Sequence, residues 1–257
     1  MRIEQGRVSK SLSFDFNKKY NLGEYRNTKK PCIFFGNYPY TNDHLFILNH
    51  RGPGILVWCG TDGLQLKSGI ADKLRKKTNI KHIVTSPYNE RNLKRYDIPF
   101  RRLPITPINI NRLYKPTPLG DSVYIYIPKF RADFYGRKHY RVISDMFPFI
   151  HTDGSTPYDQ VIDLYKKSFI GLRLTPHDGM PTTAVELGLM GRRCVWNGDL
   201  PNAIPWTPDK IPEIIKEEQK FIGQTNVALA DAMYNYLNIG DDWLHTDYYD
   251  FEHTDSV

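Results

Sequence analysis

Residues 171–198 read GLRLTPHDGMPTTAVELGLMGRRCVWNG, and the order of residue types there decides the fold. The apolar run FIGLRL (169–174) that leads into it is a short buried strand ending at Arg173–Leu174. A loop, Thr175 to Met180, follows. Pro181 stands where proline suits the first turn of a helix, and PTTAVELGLMG (181–191) continues as an almost wholly apolar helix. RCVWNG (193–198) is the next strand. Strand, loop, buried helix, strand is the unit of a doubly wound parallel sheet.

The same alternation extends in both directions. On the N-terminal side lie strands in DSVYIYIP (121–128) and FPFI (147–150), with helices over 136–146 and 157–168. Helical patterns at 209–220 and 222–238 follow on the C-terminal side. Between Pro99 and Pro118 five prolines crowd twenty residues, which suits a stiff connection between domains. Before it the pattern runs PCIFFG (31–36), a helix within 41–50, GILVWCG (54–60), a helix over 66–77, IKHIVTS (80–86) and a helix from Pro87 to Asp97. The expectation is two sequential α/β domains, with ligands at the carboxyl ends of their strands.

The composition of the 257 residues agrees. Hydrophobic residues make up 40%, enough for real cores and too many for a disordered chain. No apolar run approaches the roughly 18 residues that cross a bilayer. The opening MRIEQGRVSKSLSFDF lacks the apolar centre of a signal peptide. Three scattered cysteines form neither a disulfide framework nor a zinc knuckle, so a reducing, cytoplasmic setting is expected. Residues 1–115 hold 22 Lys/Arg against 8 Asp/Glu, whereas residues 116–257 hold 13 against 20. A first half at +14 points to an anionic partner.

Within 171–198 the chemistry concentrates at the start of the helix. Backbone amides of Thr182 and Thr183 at its positive end, after a glycine-containing loop, form a ready diphosphate site. Glu186, one turn further on, is the single acid of the helix. It either accepts hydroxyl hydrogen bonds from a ribose or complements the helix dipole. As a helix-surface carboxylate it is expected to carry little packing.

Asp178 and Glu186 are separated by seven residues. With the small residues and Gly191 that close the helix, this block resembles the E-x7-E region of GT-B glycosyltransferases, especially the retaining family 4 type. The resemblance implies two Rossmann-like domains facing across a cleft, the N-terminal one small: an acceptor-side domain over 1–110, a nucleotide-sugar domain over 119–240, and an acidic tail over 241–257 that packs back on the first domain or frays. It implies that Asp178 contacts the transferred sugar, that Gly179, Met180, Pro181, Thr182 and Thr183 hold sugar and phosphates, and that Glu186 holds the ribose. His177, beside Asp178, is divided between the site and solvent. Basic groups for the diphosphate are Arg173, Lys129 and Arg131, with Arg137 and Lys138 nearby, since the usual Arg and Lys-Gly after the first strand of the second domain are not in evidence. GILVWCGTDG (54–63) is similar to a strand-plus-turn of the acceptor domain. Asp62 there is an acceptor-side base or a turn residue. Gly36 and Asn37 either approach the donor or make a tight turn. His44 and His82 are assigned to structure.

The implied reaction moves a sugar from a nucleotide-diphosphate sugar to an anionic acceptor: a lipid-linked saccharide at a membrane surface, a glycan, or a hydroxymethylated DNA base. No cofactor or metal is expected, since helix-end amides and Arg/Lys can stabilise the leaving diphosphate and no D-x-D triplet occurs. Two rivals remain. A nucleotide-sugar epimerase of the same fold gives the basic half no purpose. A non-catalytic nucleic-acid-binding protein leaves 171–198 unexplained.

Overall fold

A computed structural model of the chain describes residues 4–5, 19–38, 42–108, 110 and 114–244. The chain divides into two compact units, one of Met1–Asn109 with Ile239–Val257 and one of Ile110–Asn238. Each contains one all-parallel sheet.

In the first unit the strands are β1 (Glu4–Gln5), β2 (Gly23–Glu24), β3 (Cys32–Phe35), β4 (Gly54–Trp58), β5 (Ile80–Val84) and β6 (Arg101–Arg102), in the order β2-β1-β3-β4-β5-β6. Between them run helices α1 (Asp43–Asn49), α2 (Ser68–Arg75) and α3 (Pro87–Lys94). The central strands are apolar on both faces because both faces are covered, as a parallel sheet requires. One face packs Phe34, Leu56, Trp58 and Val84 against Ile47, Leu74 and Leu93 of the helices. The opposite face packs Ile33, Phe35, Ile55, Val57 and Ile83 with Leu22, Ile105 and Trp243. Trp243 belongs to a single 3-10 turn, Asp242–Leu244, and its ring meets Tyr20 edge-on at 5.2 Å. The remainder of the acidic tail lies outside the described residues.

The second unit has strands β7 (Ser122–Tyr126), β8 (Phe149–Thr152), β9 (Ser168–Leu172), β10 (Arg193–Val195) and β11 (Ala203–Ile204), ordered β11-β10-β9-β7-β8. Its helices are α4 (Arg137–Met146), α5 (Tyr158–Lys166), α6 (Thr182–Leu189), α7 (Ile211–Gln219) and α8 (Val227–Leu237). Every residue of α6 from Thr183 to Leu189 is buried, with α8 packed against it. Arg192, fully buried after α6, donates to the backbone carbonyls of Tyr165 and Pro118 at 2.8 Å each, and to Thr117 Oγ1 at 2.8 Å. One guanidinium thereby fastens the end of the proline-rich segment to the end of α5 and to the residue just after α6.

The long elements follow the sequence reading closely. The strand expected at 147–150 is displaced to Phe149–Thr152, because Phe147 ends α4 and Pro148 only offers its carbonyl to Val123 N–H at 2.8 Å. Among the described residues no helix is long and apolar enough to cross a membrane.

Candidate functional site

In the second unit, residues from β7, β8, α5 and α6 and from the loops after β7, β8 and β9 surround a cavity of about 340 Å³ at the carboxyl end of the sheet. Arg173, Thr182, Thr183 and Glu186 all line it. They converge because β9 delivers Arg173 just past its last residue, and α6 begins only nine residues later. No side-chain cap closes the N-terminus of α6, so its first-turn amides are left for another partner.

Glu186 is not a surface carboxylate. It is 5% exposed, and three tyrosines donate to it: Tyr114 (2.9 Å) and Tyr158 (2.7 Å) to Oε1, Tyr165 (2.7 Å) to Oε2. The expectation that Glu186 carries little packing is therefore corrected: an ionised group taken out of water must be hydrogen-bonded, and these phenols do that. Tyr165 is pushed well above the ordinary tyrosine value, by burial first and by the Glu186 charge second, so it stays a donor. Tyr158 is about half exposed, the accessible member of the three.

Arg173 is built into a second cage. Its Nε and Nη2 both lie 2.7 Å from Asp178 Oδ2. Its guanidinium stands over the rings of Tyr135 at 4.4 Å and Tyr126 at 5.6 Å. Burial opposes the charge, but the Asp178 carboxylate outweighs it and Arg173 is held above the ordinary arginine value. Asp178 also accepts from the Gly179 amide at 2.9 Å, which fixes the loop turn before Met180 and Pro181. Lys129 pairs with Asp153 at 3.4 Å, Arg131 stands 5.7 Å over Phe134, and Phe134 meets His177 edge-on at 5.0 Å. These three sequence candidates therefore lie on loops around the Arg173 cage rather than on the cavity wall given above. Gly154, after β8, does line the cavity, with φ at +88°, a conformation that favours glycine.

In the first unit, Gly36, Asn37 and Asp62 come together at the ends of β3 and β4. Gly36 has φ at +82°, and a methyl there would overlap the Tyr38 ring. Asp62 is fully buried and accepts from the Gly60 amide at 3.1 Å. Burial lifts it from 3.8 to about 6, while the amides of Gly60, Gly63 and Asn37 pull the other way. His82 is a core residue, as expected, accepting from Trp58 Nε1 at 3.2 Å and pushed down to about 4 by burial. Among the described residues no three His, Cys, Asp or Glu side chains gather as metal ligands.

Sequence reasoning missed the five tyrosines. Their partners Glu186 and Arg173 were singled out, but nothing in linear spacing ties Tyr114, 72 residues away, to Glu186. Gly154 was within reach, since Asp153–Gly154 is a turn signal at the end of a strand.

No family model matches the chain, and no curated protein matches it. Solved structures do. Sucrose-phosphate synthase from Thermosynechococcus elongatus superposes with a TM-score of 0.55 at 10% identity, over 88% of this chain and 72% of that one. The α,α-trehalose 6-phosphate synthase of Burkholderia multivorans gives 0.55 at 9% identity, over 94% and 76%. A mutant of S. aureus TarM, in complex with Fondaparinux, α-GlcNAc-glycerol and UDP, gives 0.52 at 12% identity, over 92% of this chain and 57% of that one. At such identities the likeness speaks for the fold, which is that of the GT-B glycosyltransferases: α/β, built on parallel sheets.

Proposed function

We propose that the chain is a glycosyltransferase that moves a sugar from a nucleoside-diphosphate sugar to an anionic acceptor. The observation that carries this reading is a buried, hydrogen-bonded Glu186 in the wall of a cavity that also takes in the uncapped start of α6 and the guanidinium of Arg173. A nucleotide diphosphate needs these partners together: a carboxylate for ribose hydroxyls, amides and a cation for the phosphates. UDP in the TarM complex supports the choice of ligand class.

In this assignment Glu186 takes the ribose, the ribose hydroxyl replacing the phenol of half-exposed Tyr158. Thr182, Thr183 and Arg173 take the diphosphate, and Gly179, Met180 and Pro181 bring backbone close to phosphate and sugar. Asp178 orients Arg173 and faces the sugar, with His177 beside it. Lys129 and Arg131 supply additional positive charge from the 127–136 loop. When the anomeric C–O bond breaks, its electron pair leaves with the diphosphate, and the fixed amides and guanidinium stabilise that charge without reorganising. Retention is supported by a trehalose-6-phosphate synthase studied for glycosyltransfer with retention, similar at a TM-score of 0.50 and 8% identity. The +14 first half supports an acceptor bearing phosphate, on a lipid, a glycan or DNA.

The test is release of nucleoside diphosphate from a panel of nucleotide sugars, offered with anionic vesicles, phosphoglycans or hydroxymethylated DNA. Turnover with one donor–acceptor pair is expected. Asp178→Asn should lower kcat by roughly 10-fold or more, and donor affinity should fall with it because Asp178 holds Arg173 in place. A folded protein that turns over none of the donors, or an Asp178→Asn variant at full rate, contradicts the reading.

A further inference from the structure

At the amino ends of β9 and β10, the end of the second unit's sheet away from Arg173 and Glu186, lies a second cavity of about 290 Å³. Leu119, Phe169 and Phe221 give it apolar walls, and Arg193 and Glu218, an ion pair at 3.7 Å, supply its charged edge. The turn between α7 and α8 carries Phe221 and Ile222, 46% and 40% exposed, and Val227 at the start of α8 is 50% exposed. Phe221 and Asn226 themselves line the cavity, so the three exposed apolar side chains border it. The turn is fixed. Leu119 N–H donates to the Gln224 carbonyl and Gly223 N–H to the Leu119 carbonyl, both at 2.9 Å.

Apolar side chains gathered around a hollow on a rigid turn mark a docking face. Charge says what kind. A quarter of the chain is charged, yet residues 221–240 hold one charge, Asp231. At the border of the cavity both signs occur and are paired, Arg193 with Glu218 and Lys220 with Glu217. A charge-poor apolar centre with a mixed polar rim is the composition of a protein–protein interface. It has no surplus of positive charge for a polyanion or an anionic lipid, although the whole chain carries +7.

We infer that this face joins two copies of the chain about a two-fold axis. In such a contact one patch is its own complement, so it must present both a hollow and the side chains that fill one. Here the cavity is the hollow, and Ile222 and Val227 are the exposed aliphatic groups beside it. The rim serves itself in the same way: a second copy brings a carboxylate to Arg193 and an ammonium group to Glu217. A stable dimer covers about 800 Å² on each partner, so the contact runs from the turn along the exposed side of α8. That side, with Ala228, Ala232 and the 37% exposed Tyr234, carries no Lys or Arg. Because this cavity and the one beside Glu186 lie at opposite ends of the sheet, dimerisation and nucleotide binding are separate properties of the second unit.

Sedimentation velocity of the full chain over about 1 to 100 μM tests the dimer. The mass is expected to rise with concentration from 30.0 kDa to twice that value. Ile222→Asp and Val227→Lys should each raise the dissociation constant roughly 30-fold or more, because a change at a two-fold contact enters twice. Both side chains are exposed in the single chain, so both variants should melt like the wild type at the lowest concentration; if one does not fold, the other decides. Met146→Asp, at a 44% exposed position on α4 outside the face, is the control and should leave the dimer intact. A mass that stays at 30.0 kDa over the whole range overturns the proposal. So does a dimer that the folded face variants leave unchanged, whether or not Met146→Asp dissolves it.

Discussion

Glu186 shows how one carboxylate can be both support and ligand. Three phenols satisfy it, so Glu186→Gln, which replaces two acceptor oxygens by one and adds a donor facing a phenol, should lower stability by about 1–3 kcal/mol in denaturant unfolding. Tyr158→Phe removes only the accessible donor, and nucleotide affinity should then be equal or tighter by calorimetry. A large loss in Tyr158→Phe would make Tyr158 a ligand in its own right. Asp62 gives a prediction with a definite sign. Its midpoint rises from 3.8 unfolded to about 6 folded, so the fold favours the protonated form. That contribution is complete below about pH 4 and lost as pH rises through 6. Asp62→Asn has no such loss, so its melting temperature relative to wild type should climb between about pH 4 and 7. His82, held neutral with a midpoint near 4, affects both proteins alike and cancels in the difference. A flat difference would mean that the Asp62 carboxylate is hydrated in solution.

At the scale of elements, β9 and α6 hold the site through close approach. A methyl on Gly171 would overlap Leu187, which packs α6 onto β9. Gly171→Ala should therefore destabilise by about 1–3 kcal/mol in chemical denaturation, because the Leu187 methyl must move to admit the new one. An unchanged midpoint would show that α6 yields easily and cannot be the rigid platform assigned to it. The same packing explains what could be read in advance. Strands buried on both faces appear as unbroken apolar runs such as Ile33–Phe35 and Ile55–Trp58, and those were legible. The strands Gly23–Glu24, Arg101–Arg102 and Ala203–Ile204 were not, since two residues joined by backbone ladders leave no hydropathy signature. Asp178, Glu186 and Arg173 stood out by type and spacing. Their tyrosine partners did not, because they reach the site only through the crossover order of the sheet.

For the whole molecule, charge separates the two halves. In the first unit Glu24, Asp72, Asp97 and Glu90 each pair with a basic residue, while Arg91 and Arg95 remain exposed on α3 and just after it, with no acidic partner among the described residues. An acceptor bearing several phosphates should bind with log affinity falling by about 0.7–0.9 per neutralised phosphate for each tenfold rise in salt if it is nucleic acid. Arg91→Glu with Arg95→Glu should flatten that slope in filter binding, with vesicle sedimentation as the lipid counterpart. Equal retention at low and high salt would make the basic half a solubility feature. The central claim, that the second unit holds a nucleotide diphosphate, is tested most directly by isothermal titration of wild type and Glu186→Gln with UDP, GDP and ADP. The account predicts saturable one-to-one binding of at least one of them, weakened about 10-fold or more in a folded Glu186→Gln, as expected when a charged hydrogen bond is lost. Absence of heat with all three at millimolar ligand, or the same affinity in both proteins, would contradict it.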